Sequence, residues 1–287
     1  MHRLLRWPTG IFLFFLALGM LAQPGFCNAA SDEPAPLKFA VFPYKSPKSV
    51  VEVFGPIGAQ LEKKLGRKVQ IVSAPDVQSF LERGKSGEYD IALPSVTVHY
   101  KLLDGYTVLA KGVPTFRGGA IVRNDSEIKT LEQCRGKRVA AIGEHSYGGY
   151  IFFKDLLEEK RIHSKKDVDI QFVGKVDTII YGVLNKKFDV GVIRADTLDL
   201  PDFAPIKKQF RVIASSVEIP QFPFMVKKSL DARTVAAIKE VLVGLSPNHP
   251  EDVEILKSLQ IEKVVGATNS DYDQFYEVIK NSEYIKH

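Results

Sequence analysis

The 287-residue chain reads as an α/β protein of two lobes, each a mixed, mainly parallel sheet flanked by helices. Three observations predict this. Short β-rich runs alternate with segments of helical apolar spacing, the pattern of strand–helix–strand units. The alternation starts twice, once at residue 37 and again at residue 119. A last strand-like run, PFMV at 223–226, returns to the first unit, so the second unit is inserted into it, with crossings near 115–119 and 215–222. Composition agrees: 45% apolar and 25% charged residues exclude a disordered tail, a collagen-like repeat and a disulfide-stapled mini-protein.

The elements follow in order. His2, Arg3 and Arg6 precede an uncharged apolar run over 10–22, then Pro24–Gly25 and the small residues Ala29 and Ala30. A positive start, apolar middle and small-residue end predict a secretory signal peptide over 1–29, with an apolar run short for a spanning helix; an uncleaved membrane anchor is the other reading. Cleavage there leaves about 258 residues and lowers the net charge from +5 to +3. Trp7 and Cys27 leave with the signal, so Cys134 remains as a lone thiol and the fold must hold without an internal disulfide. Lipid anchoring at Cys27 is the alternative, which bulky Phe26 disfavours. A charge of +3 spread along the chain gives no sign of nucleic acid and suits a small anionic ligand.

In the first lobe, LKFAVFPY is a strand, and Val50, Val53, Phe54, Ile57, Leu61 and Leu65 fall at helical spacing before Gly66. Pro56 implies a kink or a helix that begins there. VQIV at 69–72 is a strand, Asp76 caps a helix through Arg83, and IALP at 91–94 is a strand. The second lobe has strands GAIVR (119–123), KRVAAIG (137–143), DIQFVG (169–174) and DVGVI (189–193), with a short helix capped by Thr130 and helices over 150–160 and 177–184. Helices over 234–245, 250–259 and 271–282 close the chain. The predicted lobes are 36–116 plus 223–287, and 117–222. Loops at the carboxyl ends of both sheets then face one cleft, the usual ligand position in open α/β sheets.

The stretches LKFAVFPY, EKKLGRKVQIV, SGEYDIALP, IKTLEQCRGKRVAA and GVLNKKFDVGVIRADTL carry a resemblance. In this order, over about residues 37–226, the chain resembles the phosphate/phosphite/phosphonate-binding proteins of ABC importers, a type II periplasmic-binding-protein family. The resemblance implies two lobes joined by β hinges that close on a small, usually anionic solute, in the periplasm, with an ABC permease as partner. One loop departs from the family. Its phosphonate importers carry a run of hydroxyl residues before Gly-Tyr, whereas this chain has Glu144-His145-Ser146-Tyr147-Gly148-Gly149-Tyr150. That form, with Arg194 in VIRADTL, looks more like the branch associated with membrane sensor kinases. Val176 stands where the family has a histidine-type residue.

The candidate ligand residues sit at strand ends. Ser146, Tyr147, Gly148 and Gly149 lie before a helix, whose first amides and partial positive charge suit a phosphate or carboxylate; a capped tight turn is the plainer reading. Tyr44, Lys45 and Ser46 follow the first strand, where Tyr44 can stack on a ligand and Ser46 can start a helix. Ser95 and Thr97 follow the third, as ligand donors or as helix caps. Arg194 ends a buried strand and suits a planar anion by two parallel hydrogen bonds, or else pairs with Asp196 or Asp177. Asp177 begins a helix, as cap or ligand group, and Arg117 belongs to the cleft or to the hinge. No G-x-S-x-G elbow accompanies His145 and Ser146, and no H-E-x-x-H, Cys-x-x-Cys or acidic calcium loop occurs, so neither an enzyme, a metal nor any cofactor is expected. Cys134 reads as a buried, inert thiol. The expectation is a monomeric solute receptor feeding an importer, with a sensor kinase as the alternative outlet and an exported enzyme as a remote one.

Overall fold

The computed structural model describes residues 34–280. The predicted signal peptide, and the end of the last predicted helix, lie outside them. Both sheets belong to one compact unit.

The first sheet is built from both ends of the chain. β1 (Leu37–Val41) pairs in parallel with β2 (Val69–Val72) and β3 (Ile91–Leu93). Between β1 and β2 runs α1 (Pro47–Leu65), and between β2 and β3 runs α2 (Val77–Lys85). α1 starts at Pro47, capped by Ser46, and continues through Pro56; it stops at Gly66, whose φ of 61° is left-handed. Asp76 caps α2 by accepting the Ser79 amide at 2.7 Å.

β4 (Tyr106–Val113) leads to the first crossing, and β5 (Gly118–Arg123) begins the second sheet. There β6 (Arg138–Ala141) pairs in parallel with β7 (Asp169–Phe172) and β8 (Val190–Arg194). α3 (Phe152–Glu159) and α4 (Val176–Leu184) connect them. β9 (Phe210–Ser215) leads to the return crossing, and β10 (Pro223–Lys227) re-enters the first sheet. The chain ends in α5 (Ala232–Val243), α6 (Pro250–Leu259), β11 (Lys263–Gly266) and α7 (Asp273–Ile279). The orders are β11-β4-β10-β3-β1-β2 and β7-β6-β8-β5-β9.

The sheets are mixed as expected, but parallel pairing does not dominate. β10 is antiparallel to β3 and β4, β11 to β4, and β5 to β8 and β9. The reason is the insertion: strands that carry the chain out of one lobe and back must run against those they join. Three of these strands, β4, β9 and β11, were not expected at all. The helix expected from Thr130 is a single 3-10 turn, Glu132–Cys134, with no side-chain cap. Cys134 is buried, and burial pushes its thiol up to about 11, the inert state expected.

The two crossings pair with each other. Phe116 and Ile219 exchange backbone bonds of 3.0 and 2.7 Å. Arg117 is a hinge residue, donating to the Ser216 carbonyl (3.1 Å) and Glu218 (3.3 Å). Phe39, Phe54 and Phe224 pack edge-on in the first lobe, and Ile121, Ile179, Phe188 and Ile193 are buried in the second.

Candidate functional site

A cavity of about 750 Å³ lies between the sheets, lined by the strand-end loops of both lobes and by the crossings. Tyr44, Lys45, Ser95, Thr97, Ser146, Tyr147, Gly148, Gly149, Asp177 and Arg194 all line it. Ser46 does not: it is exposed, and its hydroxyl accepts the Ser49 amide at the start of α1.

Lobe 1 contributes a wall whose hydroxyls already have partners. Ser95 and Thr97 are buried, with their oxygens 3.1 Å apart, and Thr97 donates to the His145 carbonyl of lobe 2 at 3.3 Å. A carbonyl only accepts, so Ser95 must donate to Thr97, and Ser95 accepts the Val98 amide (3.4 Å). Neither hydroxyl proton remains for a ligand, so the expected ligand-donor role gives way to a contact between lobes. The Tyr44 hydroxyl lies 3.0 Å from Ser258, and its ring meets Phe222 edge-on. Burial raises its pKa, so the phenol stays neutral. Lys45 is exposed, its ammonium 5.7 Å from the Tyr44 ring centre.

Lobe 2 contributes loops that follow β6, β7 and β8. After β6, Ser146 accepts the Gly149 amide (3.1 Å) and caps a π-helical turn, Tyr147–Ile151, that runs into α3. The Ile151 amide goes to the Ser146 carbonyl (3.0 Å). The Tyr147 and Gly148 amides are the first-turn donors that a helix leaves without internal partners. The Tyr147 ring crosses to lobe 1, meeting Phe275 edge-on at 4.9 Å, and burial pushes its hydroxyl up to about 12.

Packing also requires the glycines of this loop. A Cβ on Gly148 would stand 3.0 Å from Phe116, and one on Gly149 would stand 2.8 Å from the Ser146 hydroxyl. The tightest approach is Gly118 on β5, where a Cβ would lie 2.4 Å from Phe152 and 2.8 Å from the Gly148 carbonyl. Only glycine there lets the turn rest on the sheet.

Arg194, expected as an anion fork, grips a residue of its own turn. Nε and Nη2 donate to the two oxygens of Asp196 at 2.9 and 2.6 Å. Nη1 donates to Gln221 on the return crossing (3.3 Å) and to the Leu259 carbonyl (3.5 Å), and Nη2 reaches the Gln260 carbonyl (3.4 Å). Its guanidinium also stacks 4.0 Å above the Phe116 ring. The last two carbonyls belong to the end of α6, where a cation is favoured. Arg194 therefore ties lobe 2, the hinge and lobe 1 together.

The loop after β7 is different. Asp177 does not cap α4, whose N-cap is Lys175, and it is exposed at the cavity wall. Lys175 lines the cavity too and makes no ion pair among the described residues. Sequence reasoning passed over Lys175, although Gly174-Lys175 occupies the same strand-end position as the loops it singled out. It also passed over Asp202 and the apolar lining of Phe42, Val77 and Phe203, while Val176, noted for standing in place of a histidine-type residue, lines the cavity.

Two lobes, joined by paired crossings and enclosing one cavity at their strand ends, define a solute-binding protein. The chain belongs to the phosphonate-binding family, described as "ABC transporter, phosphonate, periplasmic substrate-binding protein", whose profile matches residues 39–272. Members of this family are substrate-binding proteins of importers and not enzymes. A relative, the "Phosphonates-binding periplasmic protein" of Escherichia coli K12, is 26% identical over 86% of this chain and 76% of its own length. Among solved structures, PhnD1 from Prochlorococcus marinus, in complex with methylphosphonate, superposes with a TM-score of 0.72 at 16% identity, covering 87% of this chain and 98% of that one. A Xanthomonas citri protein solved with ATP gives 0.72 at 17% identity, covering 88% and 98%. At such identities the two structures speak for the fold.

Proposed function

We propose that the chain captures a small organic anion, phosphonate-like, phosphate-like or a carboxylate, between its lobes in the periplasm and delivers it to an ABC permease. It acts as a monomer after removal of residues 1–29. The lobes are 36–116 plus 223–287, and 117–222. The observation that carries this reading is the cavity itself. It is bounded by the backbone amides of the Tyr147–Gly148 turn and by the Lys175 ammonium, which have no hydrogen-bond or ion-pair partner among the described residues, while the surrounding hydroxyls and Arg194 have theirs. In this assignment the anion meets the 146–149 loop, Lys175 and Lys45. Tyr44, Ser95, Thr97 and Arg194 shape the cavity and hold the lobes, and Asp177 borders the ligand.

The test is thermal denaturation of residues 30–287 against inorganic phosphate, phosphite, phosphonates and short carboxylates. A ligand at 100 times its dissociation constant adds about 2.7 kcal/mol of stability, a clear rise in midpoint. No rise with any of these anions overturns the proposal. The sensor-kinase outlet uses the same binding step; it gains ground only if binding is found and deletion of the cognate permease leaves uptake unchanged.

A further inference from the structure

The cavity is large and mostly apolar for a site that would take a bare oxyanion. At about 30 Å³ per water, its roughly 750 Å³ holds some 25 waters. Inorganic phosphate or methylphosphonate, with five heavy atoms each, would leave most of that space wet against hydrocarbon. The walls are Phe42, Val77, Phe116, Ile142, Val176 and Phe203. Val77 and Val176 are the first residues of α2 and α4, one helix from each lobe. Helix starts are where anions find amide donors, yet here each presents a branched hydrocarbon to the cavity. α2 also carries the Asp76 cap, whose hydrogen bonds from Ser79 hold its carboxyl below the ordinary range, so that helix end is already matched by a negative charge.

The charges that line the cavity balance. Lys45, Lys175 and Arg194 are opposed by Glu144, Asp177 and Asp202, and Arg194 is additionally held by Asp196. Such a site has one end for an anionic head, at the 146–149 loop and Lys175, and no excess of positive charge to draw a bare multivalent anion out of water. Its volume and walls match a ligand whose body is apolar, since pockets of 300–1,000 Å³ ordinarily enclose organic molecules of tens of atoms.

Resting on the proposed solute-capture role, we infer that the ligand class is an organic phosphonate, or a phosphonate-like anion, bearing an apolar body of several carbons. The head sits at the 146–149 loop, and the body lies along Val77, Val176 and the phenylalanines. Inorganic phosphate and methylphosphonate are then poor ligands.

Calorimetric titration of the mature chain with inorganic phosphate and with methyl-, butyl-, hexyl- and phenylphosphonate tests this. Affinity should rise along the alkyl series, at most about fourfold per methylene, with phenylphosphonate above methylphosphonate. Affinity that is flat or falls with chain length overturns the inference while leaving solute capture standing; no binding by any phosphonate or by phosphate overturns the inference, and it removes solute capture as well when phosphite and short carboxylates also fail to bind. Val176→Asn should reduce hexylphosphonate affinity by about tenfold per folded molecule, with methylphosphonate affinity little changed; some fall in melting temperature accompanies it, because Val176 also packs against the second lobe's core. Val77→Asn repeats the test from lobe 1 if Val176→Asn does not fold. Unchanged hexylphosphonate binding in a folded variant overturns the inference.

Discussion

The strand-end loops of the two lobes face the same cavity but are finished differently. In lobe 1 the hydroxyls of these loops have partners: Ser46 caps α1, Ser95 and Thr97 relay to the His145 carbonyl, and Tyr44 meets Ser258; behind them the His99 Nδ1 donates to the Val96 carbonyl at 2.8 Å. In lobe 2 the loops after β6 and β7 keep the Tyr147–Gly148 helix start, Lys175 and Asp177 at the cavity wall. Arg194, after β8, is the exception, with every arm of its guanidinium engaged. The difference teaches that a polar residue in a cleft is a ligand candidate only after its protein partners have been counted. By that measure lobe 1 supplies a preformed wall with Lys45 at its edge, and the anion contacts proposed above fall mainly on lobe 2.

The largest expected effect tests how firmly the lobe 1 wall is set. His99 is buried against Tyr100 and Tyr272, and desolvation pushes its pKa from 6.5 to about 3. The unfolded chain therefore takes up this proton first, and stability is lost as pH falls from about 6.5 toward 3, at up to ~1.4 kcal/mol per pH unit. Urea unfolding between pH 7 and pH 4 should be steeper in wild type than in His99→Gln by that slope. Equal slopes would mean that His99 is not held neutral.

Next come the packing and hinge positions. Gly118→Ala puts a methyl group into Phe152 and the Gly148 carbonyl, and should cost about 1–3 kcal/mol in thermal or denaturant unfolding. Arg194→Ala leaves Asp196 and two α6 carbonyls without their donor. Because Asp196 is partly exposed, the expected loss is about 1–3 kcal/mol of stability, below that of a fully buried pair. Its effect on ligand affinity, measured per folded molecule, should be smaller than that of Lys175→Ala. The reverse order would make Arg194 the anion fork and collapse the distinction drawn between these loops.

How much of this the sequence disclosed depends on where each residue's partner lies. The strands β1, β2, β3, β6, β7 and β8 were legible because each lies next to an α-helix in the chain, before or after it, which makes the alternation local. β4 was not. Its partners β10 and β11 lie more than 100 residues away, so nothing nearby distinguishes it from a loop. β11, four residues at a sheet edge, is too short to carry a pattern. At the site, the sequence located the strand-end loops but not which of their groups were already bonded. Arg194 and Asp196 are two residues apart, so their pairing was one of two readings; the choice was made by Gln221, Leu259 and Phe116, which only the fold brings near. Lys175 was overlooked because a lysine beside a glycine looks like any solvated loop.

The smallest predicted effect concerns the contact between lobes. Thr97→Val keeps the shape but removes the donor to the His145 carbonyl, and should lower stability by about 1 kcal/mol with little change in ligand selectivity. A change of selectivity would return Thr97 to the ligand's own contacts.

The assignment of anion binding to lobe 2 is tested most directly by calorimetric titration of one phosphonate, butylphosphonate, into wild type, Lys175→Glu and Arg194→Lys. The expected result is one site per chain, binding weakened at least about tenfold by Lys175→Glu, and binding retained in Arg194→Lys, whose charge still opposes Asp196. Binding that ignores Lys175→Glu and vanishes in Arg194→Lys would contradict the account.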